Sequence, residues 1–534
     1  MLFNSYEFLF AFLPITLVVF FVCGRVSRDV ALGWLIVASL FFYAWWRPLN
    51  VLIIAPAIAV NYLLARGLVM LVAAKMNARA NALLAIGILF NVAFLGYFKY
   101  ANFAKTVLND VAGTSFVLSQ IVLPLGISFI TFQKIAFLID VHAQRVEKFS
   151  LRDFCLFVLF FPQLIAGPIV HFREVMPQFQ KPAQRSKGVD LAVGLSLLAM
   201  GLFKKLVLAD NIAGRVTPIY DAAAGGDTIT FFYAWIAAIG FTLQIYFDFS
   251  GYSDMAIGLA RCVGIKLPPN FESPLKASSI IDFWLRWHMT LTRFLTAYIF
   301  DPLALWFTRR RLAKGLPALT GRRPSLTAFA SVLAGPIMLT MFVAGLWHGA
   351  GYLFVLFGLL HGVYLVINHA WRRFVVPRLK DRNRYRRMMW PLGWCVTFPA
   401  VVVAMVLFRS PTVRASVDVL GGMAGLHGAT LPNEIVSHLG FARSMIAGEP
   451  GGASDFATSA AWLLALLAIA LLLPNSRQLM VRYEPVLLEH PSERHGWNWL
   501  SWSPSLPWAV AIGAVAFVAV LNLGGVSEFL YWQF

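Results

Sequence analysis

The chain has 534 residues, of which 59% are hydrophobic and 13% are charged, and this composition excludes a set of soluble domains because a water-facing surface needs more charge. Its 44 Lys and Arg against 25 Asp and Glu give a formal net charge of +19, which in a soluble protein would suggest a nucleic-acid partner. Here the basic residues concentrate in short loops between apolar segments, the positive-inside pattern of membrane helices, so we expect lipid around the chain and no nucleic acid.

Apolar runs recur from one end of the chain to the other. A helix needs roughly 20 residues to cross a bilayer, and runs near that length predict an all-α, multi-pass membrane protein. Several runs are slightly short, so we expect some tilted or re-entrant helices. The runs include Phe8–Cys23, Val30–Trp46, Ala82–Phe98, Leu191–Leu208, Trp390–Phe408, Ala460–Leu473 and Trp508–Leu523.

The first apolar run follows Glu7 and no basic residue, whereas Arg25 and Arg28 come after it. A cleaved signal peptide begins with a basic region, so we expect an uncleaved first helix that starts outside the cytoplasm. The cysteines show no metal-ligand spacing and predict packing roles without a metal site. They are Cys23, Cys155, Cys262 and Cys395.

Three stretches in the middle of the chain mix apolar residues with proline, glycine and polar side chains. They are Pro124–Asp140, Phe160–Gln178 and Ile245–Phe271. Polar or irregular backbone at membrane depth is stable only where it is buried in protein or lines a cavity. These stretches therefore predict an internal chamber.

One polar run within the last stretch supplies five candidate substrate-binding residues: Tyr246, Asp248, Ser250, Tyr252 and Asp254. At i,i+4 spacing on a helix, Asp248 would pair with Tyr252 and Ser250 with Asp254. The run could position a polar substrate or orient a catalytic histidine. It could equally be a polar cluster that holds helices together, and the sequence leaves both interpretations open.

A second candidate segment runs from Asp282 to Thr290 and continues the chamber. Four residues recur at the spacing of one helical face: Trp284, Trp287, His288 and Leu291. A histidine within a tryptophan stripe favours a lined pocket, although such a stripe can also be an interfacial belt. Asp282 and Arg286 are spaced to form an ion pair on a neighbouring face.

Two strongly basic loops follow, Arg309–Arg323 and Trp371–Arg387, and both are expected in the cytoplasm. The chain must cross and return between them, so Ser325–Asn368 predicts a helical hairpin with its turn at Gly345–Gly351. Beyond the second loop, Trp390–Phe408 would run outward and leave a surface loop near 409–457 on the outer side. The next span would return to the inner side, and the last span would run outward again.

The hairpin turn reads GLWHGAG and contains His348. An ionisable group at membrane depth is costly, so a function is the first hypothesis, and a neutral imidazole can accept a proton near neutral pH. The flanking glycines would let a substrate approach the backbone closely. A hydrogen-bonded structural histidine is the alternative. His361 would lie about 220° further round a continuous helix, so we expect it to serve packing or to support another site residue.

The longest of these motifs resemble the membrane-bound O-acyltransferases, in the branch of alginate O-acetyltransferases, with the D-alanyl transfer proteins of teichoic acid as relatives. They are YFDFSGYSDMAIGLA at Tyr246–Ala260, FWLRWHMTLT at Phe283–Thr292 and LWHGAGYLFVLFGLLHG at Leu346–Gly362. The opening MLFNSYEFLF and the closing SEFLYWQF are also similar, so the resemblance covers nearly the whole chain. The chain departs from the branch at Thr296–Tyr298 and Asp301–Ala304, where the branch has Arg-Asp-Tyr and Pro-Leu-Gly-Gly.

The resemblance implies a bowl of about a dozen transmembrane and re-entrant helices. It divides the chain into N-terminal helices over 1–110, a catalytic core over 111–370, and C-terminal helices over 371–534 with the periplasmic loop. The family's essential histidine falls on His348 and its second active-site position on His288.

The resemblance also implies a mechanism, in which His348 acts as the base. His288, or an indole N–H of Trp287 or Trp347, would stabilise the oxyanion or orient the base. Trp287, Trp347 and Arg286 join the candidate substrate-binding residues.

The implied reaction moves an acetyl group from a cytoplasmic thioester to an exported polysaccharide. Acetyl-CoA would be the donor substrate, with no tightly bound cofactor. The acceptor would be the polymer itself or a periplasmic, esterase-like acetyltransferase that relays the group, and the location would be the bacterial inner membrane. Standard nucleotide and zinc motifs are absent from the sequence. A transporter with intramembrane relays and a non-catalytic scaffold of an export complex are the alternatives.

Overall fold

The computed structural model describes residues 1–119, 121–180, 187–319, 325–438, 446–449, 452–487, 500–525 and 530. Regular structure within them is almost entirely helical, which confirms the predicted all-α class. The α-helices are α1 (Leu13–Val26), α2 (Arg28–Ala44), α3 (Leu49–Ala73), α4 (Asn77–Leu95), α5 (Ala101–Ala112), α6 (Ile127–His142), α7 (Leu151–Leu159), α8 (Phe161–Leu164), α9 (Phe172–Gln180), α10 (Lys187–Phe203), α11 (Asp210–Gly225), α12 (Phe231–Cys262), α13 (Ile280–Trp284), α14 (Met289–Leu295), α15 (Asp301–Ala313), α16 (Leu326–Phe329), α17 (Gly335–His348), α18 (Tyr352–Ala370), α19 (Arg382–Arg409), α20 (Val413–Met423), α21 (Asn433–Val436), α22 (Ala453–Leu472), α23 (Ser476–Leu479) and α24 (Leu506–Leu521).

Shorter elements complete the description. Two three-residue strands, β1 (Thr430–Pro432) and β2 (Ala447–Glu449), pair in parallel. The π-helical segments are Phe8–Phe12, Gly96–Tyr100, Lys204–Ala209, Thr296–Phe300, Ala330–Ala334 and Trp371–Val375, and the 3₁₀ segments are Pro274–Lys276, Val376–Arg378 and Val481–Tyr483.

Nine helical stretches among the described residues are long and apolar enough to cross a membrane. They are Phe8–Val26, Leu49–Ala73, Asn77–Ala112, Gly188–Gly225, Phe231–Cys262, Leu326–His348, Tyr352–Arg378, Arg382–Arg409 and Ala453–Leu472. The multi-pass prediction is therefore confirmed. Two predicted spans form shorter helices, α2 with 17 residues and α24 with 16.

The chain forms two compact units. The first comprises Met1–Phe203, Gly251–Pro269 and Ser476–Gly525. Its membrane helices bury an amide pair, Asn61 and Asn91, whose side chains exchange hydrogen bonds of 3.2 and 2.6 Å. Such reciprocal bonds satisfy polar groups that hydrocarbon cannot.

The second unit comprises Lys204–Ser250, Asn270–Asn475 and Val526–Phe534, of which 526–529 and 531–534 lie outside the described residues. Each unit draws on more than one of the three segments expected from the sequence, and that division stays a prediction.

The hairpin predicted between the basic loops is confirmed as α17 and α18, which pack through glycines. A Cβ atom added to Gly345 would lie 2.3 Å from the Phe354 carbonyl oxygen, and one added to Gly358 would lie 2.3 Å from that of Met341. Only residues without a side chain allow two helix backbones to approach this closely. The turn between them is extended at Gly349 and Gly351.

The two basic loops meet in the second unit, where Arg373 donates to the Leu319 carbonyl oxygen at 3.1 Å. Arg322 and Arg323 lie outside the described residues, as do 439–445 and 450–451 of the predicted outer loop. The cytoplasmic and periplasmic assignments of these loops stay predictions.

Candidate functional site

Two helix ends in the second unit bring the predicted catalytic histidines together. His348 is the last residue of α17, and His288 directly precedes α14. Their ring centroids lie 6.3 Å apart, and the residues are 4% and 0% exposed. Trp347 joins them, with its ring 5.8 Å from that of His288. Two histidines that are 60 positions apart in the sequence thus belong to one buried cluster.

The backbone at His288 corrects the helix predicted through this segment. The structure ends α13 at Trp284 and starts α14 at Met289, and His288 between them has φ 44° and ψ 50°. A left-handed conformation costs a non-glycine residue about 1–3 kcal/mol and persists only where the surroundings enforce it. The four residues at helical spacing therefore do not share one continuous helical face.

The two tryptophans of this segment have different neighbours. Trp284 donates from its indole N–H to Nδ1 of His361 at 3.3 Å. Trp287 packs against Phe271 at 5.1 Å between centroids, and the Phe271 ring in turn lies 6.5 Å from that of His288. Both tryptophans are buried, so they are not an exposed interfacial belt. His361 lies next to Trp284, and its role in packing or in support of the site stays a prediction.

Asn270, which the sequence reading missed, holds His288. Its Oδ1 lies 3.0 Å from the imidazole Nδ1 and accepts hydrogen bonds from the backbone N–H and the hydroxyl of Thr290, at 3.3 and 2.8 Å. Its carbonyl oxygen accepts from the Met289 N–H at 2.9 Å. Asn270 is 1% exposed. In the sequence, Asn270 is marked by no more than its polar side chain near the end of the mixed stretch Ile245–Phe271.

The His288 ring lies in a largely aromatic environment. Phe249 of α12 packs edge-on against it at 4.7 Å. Burial, with a smaller effect from His348, lowers the pKa of the His288 imidazole well below its ordinary value. The ring is therefore neutral at neutral pH, with one nitrogen donating and the other accepting.

His348 also lies among aromatic rings, with Trp347 at 5.0 Å, Phe408 at 5.3 Å and Phe357 at 5.9 Å. Apolar rings around a buried imidazole lower the local polarity, which strengthens electrostatic interactions there. Gly349 serves packing here, because an added Cβ atom would lie 2.2 Å from the Phe354 ring. Substrate approach along the flanking glycines stays a prediction.

The predicted ion pair of Asp282 with Arg286 is confirmed at 2.8 Å. Both side chains are about one-third exposed, at 29% and 35%. Arg286 also donates to the Glu272 carbonyl oxygen at 3.4 Å, while its own carbonyl oxygen accepts from the Glu272 N–H at 2.9 Å. These bonds tie the segment before α13 to the His288 turn, and substrate binding by Arg286 stays a prediction.

The polar run of α12 has partners that the helical spacing did not reveal. Asp248 pairs with Lys205 at 2.6 Å, and Lys205 also pairs with Asp210 at 2.7 Å. All three side chains are buried or nearly so. Tyr246 reaches the candidate site indirectly, since its ring lies 6.3 Å from that of Phe271.

The last two residues of the run belong to the first unit. Tyr252 stacks on Phe3 at 4.8 Å, and Asp254 accepts a hydrogen bond from the Ser476 hydroxyl at 2.6 Å. Among the described residues the Ser250 hydroxyl has no hydrogen-bond partner, so its predicted pairing with Asp254 is wrong. Binding of substrate by any member of the run stays a prediction.

Comparison with known proteins finds one matching family and several relatives that share a third or so of their residues with this chain. The profile of the membrane-bound O-acyltransferase family matches residues 80–316. The peptidoglycan O-acetyltransferase of Helicobacter pylori is 37% identical over 465 residues, which cover 81% of each chain. The "Probable alginate O-acetylase AlgI" of Pseudomonas aeruginosa is 36% identical, over 78% of this chain and 73% of the relative. The teichoic acid D-alanyltransferase of Streptococcus thermophilus is 30% identical, over 53% of this chain and 68% of the relative.

Proposed function

Because the chain belongs to the membrane-bound O-acyltransferase family, we propose that it moves an acetyl group from a cytoplasmic thioester to a hydroxyl of an exported bacterial polysaccharide. The protein is a multi-pass membrane acyltransferase, and this favours an enzyme over the transporter and scaffold alternatives. Relatives named for peptidoglycan and alginate O-acetylation support a polysaccharide acceptor. Bacterial relatives support a place in the inner membrane.

The observation that carries the proposal is the buried pair of His288 and His348, with ring centroids 6.3 Å apart. Acyl transfer to a hydroxyl needs a group that accepts the hydroxyl proton and a polar environment that stabilises the negative charge on the carbonyl oxygen. Two imidazoles and the Trp347 indole, all three buried, supply acceptors and donors of this kind.

In the proposed reaction, His348 accepts the hydroxyl proton as the oxygen attacks the thioester carbonyl carbon. The tetrahedral intermediate then collapses, the carbon–sulfur bond breaks, and the leaving thiolate takes the proton from the imidazolium. Proton count and charge balance without any further reagent. A general base of this kind accelerates such a step about 10²–10⁴-fold.

The donor in this proposal is acetyl-CoA, which binds as a substrate and leaves as the free thiol. The acceptor is the polysaccharide hydroxyl, reached either directly or through a periplasmic, esterase-like acetyltransferase that carries the acetyl group. The relay is favoured by the resemblance to the alginate O-acetyltransferases.

Deletion of the gene and measurement of the exported polymer test the proposal. We expect the deletion strain to make polymer with little ester-linked acetate, and a plasmid copy to restore the acetate. Membranes of the restored strain should move label from acetyl-CoA into an ester that mild alkali releases. Unchanged acetate would refute the proposal, and loss of the polymer itself would favour a role in export.

A further inference from the structure

The side chain of Asn270 fixes which nitrogen of His288 carries the proton. Its Oδ1 accepts the backbone N–H of Thr290 at 3.3 Å, and a backbone N–H can only donate. The atom that faces Thr290 is therefore the amide oxygen and not the amide nitrogen. Since the same oxygen lies 3.0 Å from Nδ1 of His288, that nitrogen must donate. The neutral ring then has its proton on Nδ1 and its lone pair on Nε2.

The same asparagine holds the strained backbone of His288. Hydrogen bonds from the N–H groups of Met289 and Thr290 end on Asn270, at 2.9 and 3.3 Å. They fasten the first two residues of α14 directly after the left-handed residue. One side chain thus sets both the position of the imidazole and its tautomer, as partners of metal-binding histidines do elsewhere.

We propose that Asn270 is a positioning residue that holds His288 as the Nδ1–H tautomer, so that Nε2 of the neutral ring can only accept a hydrogen bond during the transfer. This inference rests on the proposed acyl transfer. A neutral ring of this tautomer cannot donate from Nε2 to the oxyanion. That task falls instead to another donor, such as the Trp347 indole, whose ring lies 5.8 Å from that of His288.

The groups around His288 make the inference testable through pH. Among the ring's contacts in the described part of the chain, His348 of α17 is titratable, whereas α12 contributes Phe249 and the segment before α13 contributes Asn270 and Phe271. A carboxylate at position 270 would keep the oxygen acceptor and add a negative charge beside the ring. Because an adjacent negative charge favours the imidazolium, it raises the pKa of His288. As the pH falls, His288 would then lose its neutral form at a higher pH than in the wild type.

The experiment measures label transfer from acetyl-CoA to ester-linked polymer in membranes that contain the full-length protein. For Asn270→Asp we expect measurable transfer, with the acid limb of the pH profile moved up by about one unit or more. For Asn270→Leu we expect kcat to fall about 10–100-fold, with the KM for acetyl-CoA unchanged. The matched control is Asn368→Leu, which removes an amide oxygen that accepts the Ile281 N–H at 3.3 Å. It should keep the wild-type pH profile.

The inference would be overturned if both Asn270 variants lost transfer equally and kept an unshifted pH profile. It would also be overturned if both variants had the wild-type transfer rate and the wild-type pH profile. If Asn270→Leu fails to accumulate, the pH profile of Asn270→Asp decides. Wild-type membranes without ester transfer would overturn the proposed function, and this inference with it. Wild-type transfer with the wrong variant pattern would overturn this inference alone.

Discussion

Lys205 lies between Asp248, which is buried, and Asp210, which is nearly buried, and its replacement by methionine should destabilise the second unit. The ammonium lies 2.6 Å from Asp248 and 2.7 Å from Asp210, with the lysine side chain 2% exposed. Lys205→Met keeps most of the side-chain length and removes the charge. The two acids are then left without the ammonium that both carboxylates contact.

The expected cost follows from the geometry. Removal of one partner from a buried ion pair costs about 3–5 kcal/mol, because the remaining charge stays in a low dielectric. That is a large part of the roughly 5–15 kcal/mol by which folded proteins are stable. The double variant Lys205→Met, Asp248→Asn removes one of the acids as well and should recover much of the loss.

The assay is protein level in membranes together with the unfolding temperature of the detergent-solubilised protein. Lys148, which is exposed, provides the control, and Lys148→Met should change the free energy of unfolding by about 0.5 kcal/mol or less. A Lys205→Met protein as abundant and as heat-stable as the wild type would refute the reasoning. So would a double variant less stable than the single one.

Two further substitutions test the packing around the site. Trp287→Ala should reduce acyl transfer per unit of protein more than Trp371→Ala, because Trp287 supports Phe271 whereas Trp371 is 44% exposed; equal, mild losses would contradict this. Gly358→Ala should lower the unfolding temperature and the transfer rate, because the new methyl group would lie 2.3 Å from a carbonyl oxygen of α17. Gly214→Ala should leave both quantities unchanged, because the added methyl group has open space around it. An equal fall in unfolding temperature and transfer rate for Gly214→Ala would show that contact with α17 is not the cause.

Local sequence patterns were enough to predict much of the fold. Apolar length predicted membrane helices, and charge in the loops predicted the hairpin of α17 and α18. His348 and His288 stood out because ionisable residues in apolar surroundings are costly. The ion pair of Asp282 with Arg286 followed from i,i+4 spacing alone.

The features that were missed depend on contacts distant in sequence. No glycine near His288 signals a left-handed backbone. The conformation is held by Asn270, 18 positions earlier. The partner of Asp248 is Lys205, on a preceding segment, and the partner of Asp254 is Ser476, 222 positions away. Helical periodicity cannot reveal such partners, because it describes only neighbours within one helix.

The most direct test of the central claim is the effect of His348→Ala on ester acetate in the exported polymer. The account predicts that this variant accumulates normally and makes polymer with almost no ester acetate, because alanine cannot accept the hydroxyl proton. His288→Asn should retain part of the activity, because an amide oxygen can still accept a hydrogen bond. Undiminished ester acetate per sugar in a strain with wild-type levels of the His348→Ala protein would contradict the account.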